Sequence, residues 1–192
     1  MIPENKLLLN ILAGPHGGKS TLAAELYMAF KKKHYAIEYV NEFAKELIYA
    51  DHQSALPNQV YVFAHQLYKI ECAYKHNQIV VTDSPILLSA IYHPEYSEIL
   101  PALVVEQYQK FNNFNILLTR SIEREHCMVG RVHSLSESIN IDSQIRNFLE
   151  ELEIEYMDYD AINTPITELV NLIEDCVNLD SNDTADEFEE GE

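Results

Sequence analysis

The feature that most constrains this chain is a glycine-rich turn between an apolar strand and a helix. The apolar run 7–12 leads into the segment 13–21, Ala-Gly-Pro-His-Gly-Gly-Lys-Ser-Thr, and apolar residues at helical spacing follow from Leu22. Glycines adopt backbone conformations closed to other residues, so successive N–H groups can face inward around a phosphate. The lysine adds a positive charge for the β- and γ-phosphates, the serine hydroxyl can bind Mg²⁺, and the helix N-terminus favours an anion. The segment therefore predicts a P-loop that binds ATP with Mg²⁺.

The residues expected to bind the nucleotide are consecutive in the chain. An alanine stands where the common motif begins with glycine, and this position requires only a small residue. The expected set consists of Ala13, Gly14, Pro15, His16, Gly17, Gly18, Lys19, Ser20 and Thr21.

Length and charge indicate one domain followed by an acidic tail. A chain of 192 residues is long enough for one full hydrophobic core. The formal net charge is −18, and residues 180–192 contain seven acidic residues and no lysine or arginine. We expect residues 1–179 to form a single domain and residues 180–192 to be a disordered tail that serves solubility or binds a partner. Because nucleic-acid binding draws on clustered lysine and arginine, the overall charge disfavours DNA as the acceptor.

Membrane and export signals are missing from the pattern of apolar residues. No apolar run reaches eighteen residues, and the N-terminus has no signal-peptide pattern. We therefore expect a cytoplasmic protein that does not contact a membrane.

Strand-like apolar runs alternate with helical patterns along the chain. The runs lie at 7–12, 35–40, 79–82, 115–119 and 154–159. This alternation predicts an α/β fold of the P-loop NTPase type, a parallel sheet of about five strands with helices on both faces. The polar segment 121–140 is the expected lid, an irregular connection before the helical pattern resumes at Ile145. Ligands of such sheets bind at the carboxyl ends of the strands.

Two carboxylates follow predicted strands and are candidates for catalysis. Asp83 ends the run Ile-Val-Val-Thr, the pattern of a Walker B strand, and can hold Mg²⁺ beside Ser20. Glu42 follows the second strand and can take the proton of an attacking hydroxyl. The structural alternatives are an N-cap role for Asp83 in a helix begun by Pro85, and a dipole-favoured position in a helix first turn for Glu42. The sequence leaves open which carboxylate is the base.

A predicted long helix carries two glutamines on one face. Gln59 and Gln66 are seven residues apart, and Phe63 lies between them. Amide groups beside an aromatic ring can recognise and stack a planar base, so we expect these residues to bind the acceptor together with Glu42. The alternative is that both glutamines are ordinary boundary residues of a mostly buried helix.

Arginines lie at the start of the expected lid and within it. Arg120 follows the fourth predicted strand, and Arg131 follows a glycine inside the lid. A mobile arginine can neutralise the charge that develops on a transferring phosphoryl group. We expect Arg120 and Arg131 to be catalytic beside Lys19, with salt bridges to the abundant carboxylates as the alternative.

With these motifs in view, the chain resembles phage-encoded P-loop kinases or ATPases of the AAA type. These are similar to the ribosylnicotinamide kinase domain and, more distantly, to deoxyribonucleoside kinases. The resemblance covers about residues 7–175 and rests on the P-loop, on 41–45, on the helix through Gln66, on 82–85, on 118–120 and on Gly130-Arg131 leading to Asp142, Ile145 and Leu149. It implies a doubly wound sheet with a lid and a phage source. His133 stands where these relatives carry glutamine.

Two classes of function fit these residues. The first is a kinase that transfers the γ-phosphate of ATP to a hydroxyl of a nucleoside-like or nucleotide acceptor. Similar phage kinases phosphorylate 5-hydroxymethyluracil in DNA, and an enzyme that flips one base into a pocket needs only a local basic rim. The second is a P-loop ATPase or nucleotide switch without an acceptor, which acts through a protein partner. A kinase labels its acceptor, whereas a switch releases inorganic phosphate.

Overall fold

Five apolar runs of the sequence form the strands of one sheet. The structure is a computed structural model that describes residues 6–92, 99–120 and 135–182. The strands are β1 (Leu7–Leu12), β2 (Ile37–Val40), β3 (Ile79–Thr82), β4 (Asn113–Leu118) and β5 (Met157–Tyr159). They pair in parallel in the order β2-β3-β1-β4-β5. The predicted parallel sheet of about five strands is confirmed.

Helices cover both faces of this sheet. They are α1 (Lys19–Lys32), α2 (Phe43–Tyr49), α3 (Gln59–His76), α4 (Leu88–Ile91), α5 (Ile99–Tyr108), α6 (Leu135–Glu151) and α7 (Ile166–Asn182). All residues of β1 are buried, and alternate ones pack into different clusters. Leu9 packs in a cluster with α1 and α7, while Leu8 packs in a cluster with α3, α5 and α6. Since side chains of a strand alternate between faces, β1 lies between two helical layers.

A buried polar network crosses the core between β1 and β4. Asn10 is fully buried, and its Nδ2 donates to Asn113 Oδ1 at 2.9 Å and to Asn115 Oδ1 at 3.1 Å. Asn115 in turn donates to the Tyr108 hydroxyl at 2.7 Å and to the Glu155 carbonyl at 2.8 Å. Asn10 pairs with Asn115 in the β1–β4 register, so the network favours this register over a slipped one.

The largest departure from the sequence prediction is the start of α6. The segment 121–140 was expected to be irregular, but residues 135–140 are helical. Their composition is polar, yet Ser138 is fully buried, and Ile141 and Ile145 lie four residues apart and pack on the core. This buried face stabilises a helix where polar composition alone predicts a loop.

Smaller differences occur at other helix ends. The helix expected to begin at Pro85 is the short α4, which begins at Leu88, and α7 ends at Asn182, three residues into the predicted tail of 180–192. The remainder of the expected lid, 121–134, which includes Arg131, lies outside the described residues, as does 183–192. Within the described parts of the chain, no helix is long and apolar enough to cross a membrane.

We predict that Asn10→Ala destabilises the fold through the polar network. Removing the Asn10 amide leaves the Asn113 and Asn115 side-chain oxygens without this buried donor, which costs about 1–3 kcal/mol. The free energy of unfolding, measured by urea denaturation, should fall by that amount. Gln109→Ala, at an exposed site, is the control and should change it by less than about 0.5 kcal/mol. Equal stability of the Asn10 variant and wild type would contradict the role of the network.

Candidate active site

The glycines of the P-loop are required for different reasons. Gly18 has φ 93°, a left-handed conformation that favours glycine, and it is the only glycine with positive φ among the described residues. At Gly14 the constraint is space, because an added Cβ would lie 2.5 Å from the Ser138 carbonyl oxygen and 2.9 Å from Asp142 Oδ1. Gly18 therefore meets a conformational requirement, and Gly14 meets a requirement for space. His16 also has positive φ, 67°, and so helps to shape the loop.

Lys19 folds back over the loop that precedes it. Its Nζ donates to the Ala13 carbonyl at 2.8 Å and to the Gly14 carbonyl at 3.2 Å. Burial lowers the pKa of Lys19, while the negative charges of nearby Glu42, Asp83 and Asp142 oppose this shift. The ammonium thus lies among carbonyl and carboxylate oxygens at the predicted phosphate site.

Ser20 and Asp83 meet as the sequence predicts, and Tyr39 joins them. Ser20 Oγ donates to Asp83 Oδ2 at 2.6 Å, and the Tyr39 hydroxyl donates to the same oxygen at 2.9 Å. Asp83 is 2% exposed, and no described residue hydrogen-bonds to its Oδ1. Leu87 is the N-cap residue of α4, so Asp83 is not the cap of this helix. A buried carboxylate oxygen beside a serine hydroxyl fits Mg²⁺, whose preferred ligands are oxygens.

Glu42 lies where β2 ends and α2 begins. It is the N-cap residue of α2 and its side chain makes no capping hydrogen bond, so a position favoured by the helix dipole stays an alternative to a catalytic role. Burial raises the pKa of Glu42, Lys19 counteracts the rise, and Asp83 adds to it. A carboxylate with a raised pKa binds a proton more readily than an ordinary one.

An open cleft of about 120 Å³ adjoins these two carboxylates. Its lining consists of Tyr39, Asn41, Glu42, Lys45, Glu46, Tyr49 and Asp83. Lys69 on α3 fixes one wall, since its Nζ donates to Asn41 Oδ1 at 2.7 Å and to Glu46 Oε1 at 2.6 Å. Lys45 lies 5.7 Å from the ring centre of Tyr49, which is 75% exposed. The lining of the cleft therefore combines polar and acidic side chains with the exposed aromatic ring of Tyr49.

The glutamines of α3 have different positions from those expected. Gln66 is buried, and its Oε1 accepts from the Phe43 N–H at 2.9 Å, while its Nε2 donates to Thr82 Oγ1 at 3.3 Å and to the Asn41 carbonyl at 3.4 Å. Gln59 donates to the Leu56 carbonyl at 2.8 Å, and Phe63 packs in the core cluster on the α3 face. None of these three residues lines the described cleft. In the structure these residues contact backbone groups, Thr82 and the hydrophobic core. Their binding of an acceptor stays a prediction from the sequence.

Arg120 reaches the P-loop from the end of β4. Its Nε donates to Asp142 Oδ2 at 2.6 Å, and its Nη2 donates to the Pro15 carbonyl at 2.9 Å. Asp142, on α6, also accepts the Gly14 N–H at 2.6 Å through Oδ1. The structure thus brings together Arg120, Glu42, Asp83, Lys19 and Ser20.

Three residues near the site had no function assigned from the sequence, although Asp142 is among the residues that carry the resemblance. Tyr39 contacts Asp83, Asp142 contacts Gly14, and Tyr92 lies close enough to Glu42 and Asp142 for their charges to act on it. Burial, with those charges, raises the pKa of Tyr92 to about 12. The position of Tyr39 at the end of β2 was a usable signal, because residues at carboxyl strand ends face the ligand.

Solved structures of kinases share this fold. NadR protein in complex with NR has a TM-score of 0.71 and 14% identity, over 91% of this chain and 52% of that one. Deoxyadenosine kinase from M. mycoides, with the products dCMP and a flexible dCDP bound, has a TM-score of 0.53 and 15% identity, over 89% and 98% of the two chains. Thymidylate kinase from Ehrlichia chaffeensis has a TM-score of 0.54 and 9% identity, over 92% and 100%. At these identities the likeness shows the fold, and the chain spans about half the length of the NadR chain.

Comparison of sequences identifies the family. No curated protein matches the chain. Residues 10–163, however, match the family described as AAA domain, and this range includes the P-loop, Glu42, Asp83 and Arg120. The match extends over most of the chain and over every strand except part of β1. The chain therefore belongs to the AAA domain family, with a P-loop kinase-like fold.

Proposed function

We propose that this chain is a Mg²⁺- and ATP-dependent kinase that phosphorylates a hydroxyl of a nucleoside-like or nucleotide acceptor. The observation that carries the proposal is an acidic cleft beside the P-loop, whose lining includes Asp83, the residue that accepts the hydrogen bond from Ser20. Hydrolysis of ATP alone needs no such cleft. A kinase needs one, because the acceptor hydroxyl must be held in line with the γ-phosphate.

The proposed transfer has one bond forming and one breaking. The acceptor oxygen attacks the γ-phosphorus, the bond from that phosphorus to the bridging oxygen of ADP breaks, and a carboxylate takes the hydroxyl proton. Glu42 is the better supported base. Asp83 Oδ2 already accepts from Ser20 and Tyr39, whereas no described residue hydrogen-bonds to the Glu42 carboxylate, whose pKa is raised by burial. Lys19 stabilises charge on the β- and γ-phosphates, and we propose the same for Arg131 on the transferring group.

Ser20 and Asp83 are the proposed holders of Mg²⁺. The buried Oδ1 of Asp83, to which no described residue hydrogen-bonds, together with the adjacent Ser20 hydroxyl fits this ion. Held by Ser20 and Asp83, Mg²⁺ would supply positive charge that offsets the negative charge of the phosphates. Tyr39 orients the Asp83 carboxylate by donating to its other oxygen.

The charge of the cleft favours an acceptor that carries no phosphate group near the hydroxyl that reacts. Its described lining holds three carboxylates, Glu42, Glu46 and Asp83, and one ammonium, that of Lys45, so it stays acidic even with Lys69 paired to Glu46. A dianionic phosphate beside these groups is repelled, and the described lining holds no arginine whose planar fork could bind two phosphate oxygens. The volume of about 120 Å³ is below the roughly 300 Å³ of typical ligand pockets, so the cleft holds only part of the acceptor. We propose that the exposed ring of Tyr49 stacks on the remainder of the acceptor.

A hydroxymethylated base in DNA is a narrower form of the same proposal. The resemblance to phage kinases favours it, and the net charge of −18 weighs against it. The other class, an ATPase or switch that works through a protein partner, has the acidic tail in its favour. Both remain alternatives that one labelling experiment separates.

That experiment offers γ-labelled ATP and Mg²⁺ with nucleosides, nucleoside monophosphates, ribosylnicotinamide and hydroxymethylated DNA. Label in an acceptor is expected, with uncharged or cationic nucleosides preferred over monophosphates. Release of inorganic phosphate at the same rate with and without every acceptor would instead support the switch.

We predict that Lys19→Ala lowers kcat by roughly 10³-fold or more, because the ammonium that neutralises the phosphates is lost. Its hydrogen bonds are to loop carbonyls, so the Tm should change by less than about 4 °C. Lys32→Ala, at the exposed end of the same helix, is the control and should retain wild-type kcat. Wild-type turnover in a folded Lys19→Ala protein would remove the proposal.

We predict that the pH profile of kcat/KM reports the Glu42 carboxylate. The base must be ionised, so activity falls as pH decreases through its pKa, which burial raises above the ordinary value of 4.5. Glu42→Gln should lower kcat by about 10²–10⁴-fold and remove this acid limb. The control is Glu38→Gln, at an exposed position of β2, which should keep both the wild-type kcat and the acid limb of the pH profile. An unchanged acid limb in Glu42→Gln would assign the base to another group.

A further inference from the structure

One carboxylate of α6 joins the P-loop to the end of β4. Asp142 accepts the Gly14 N–H at 2.6 Å through Oδ1 and the Arg120 Nε–H at 2.6 Å through Oδ2. The same arginine donates to the Pro15 carbonyl at 2.9 Å. Asp142 and Arg120 are only 23% and 14% exposed, so this ion pair is more shielded from solvent than a typical surface pair.

These contacts fix successive backbone groups of the loop. The Gly14 N–H is bound by Asp142, the Gly14 carbonyl by Lys19, and the Pro15 carbonyl by Arg120. The Lys19 contact uses the same ammonium that the phosphates attract, so a bound nucleotide competes for it. Asp142 and Arg120 contact the loop through groups that this competition does not involve.

The packing of α6 on the loop leaves no room for adjustment. A Cβ at Gly14 would lie 2.5 Å from the Ser138 carbonyl oxygen and 3.3 Å from Ile141 Cβ, so the helix backbone lies directly against the loop. Asp142 is therefore held at the loop by the helix that carries it. Groups held in place before a ligand arrives lower the cost of binding that ligand.

We propose that Asp142 is a positioning residue for nucleotide binding, which acts with Arg120 by holding the Gly14–Pro15 segment in its phosphate-binding conformation. This inference rests on the proposed binding of ATP by the P-loop, and it does not depend on the acceptor. It also assigns Arg120 a task in the loop, where the sequence predicted contact with the transferring phosphoryl group. The positive charge of Arg120 offsets the negative charge of Asp142. Without this pairing, the carboxylate beside the loop would repel the nucleotide.

The test is equilibrium binding of Mg²⁺-ATP to the full chain without acceptor, together with the Tm of each variant. Asp142→Ala should raise the Kd for ATP about 10-fold or more, the usual effect of losing hydrogen bonds to a charged group. Asp142→Asn should raise it less, because its amide oxygen can still accept the Gly14 N–H. Arg120→Ala should also raise the Kd, and the effects of Arg120→Ala and Asp142→Ala should not add in the double variant.

Asp158→Ala is the matched control. Asp158, on β5, pairs with Arg146 of α6, the helix that carries Asp142. It makes no hydrogen bond to the loop, so its loss should leave the Kd within about twofold. A merely structural role for Asp142 predicts a lower Tm with an unchanged Kd, and that result would overturn the inference while wild-type binding of ATP stands. Failure of the wild-type chain to bind ATP would remove the proposed function, and this inference with it.

Discussion

The candidate site depends on the parallel pairing of β1 between β3 and β4. Every residue of β1 is buried, so this strand can occupy only the interior of the sheet. Its register with β3 sets Asn10 against Thr82, which brings the P-loop after β1 and Asp83 after β3 to the same edge. The hydrogen bond of 2.6 Å between Ser20 and Asp83 is a direct consequence. The polar network through Asn10 reinforces the pairing on the β4 side, from which Arg120 reaches the loop.

Gln66 connects the two carboxylates of the site through the backbone. It accepts the N–H of Phe43 and donates to the carbonyl of Asn41, the residues on either side of Glu42. It also donates to Thr82 Oγ1, immediately before Asp83. A fully buried amide with partners on both of its polar atoms restricts the backbone to one arrangement. The relative positions of Glu42 and Asp83 therefore depend on a residue that is distant from the cleft surface.

The local parts of this site could be predicted from the sequence, and the long-range parts could not. The P-loop, Asp83 and Glu42 each follow an apolar strand, and one stretch of chain suffices to identify each of them. The contacts of Tyr39, Gln66 and Asp142 depend on strand order and on where α6 lies, and periodicity contains neither. The start of α6 was missed for a related reason. Its first turns are polar in sequence and gain stability from packing on the P-loop. This contact is long-range, so the local pattern of polar and apolar residues does not reveal it.

The three carboxylates near Lys19 are distinguished by their partners. Asp142 is bound to Arg120 and Gly14, so its charge is used within the fold. Asp83 receives two hydroxyl donors on one oxygen and retains a buried second oxygen, an arrangement suited to a cation. Glu42 receives no hydrogen bond from any described residue, and burial raises its pKa, an arrangement suited to accepting a proton. Similar side chains in one small region thus support three different tasks because each has different neighbours. The proposal of Glu42 as base rests on this difference in partners, because the carboxylates of Asp83 and Asp142 are engaged by donors and that of Glu42 receives no hydrogen bond from a described residue.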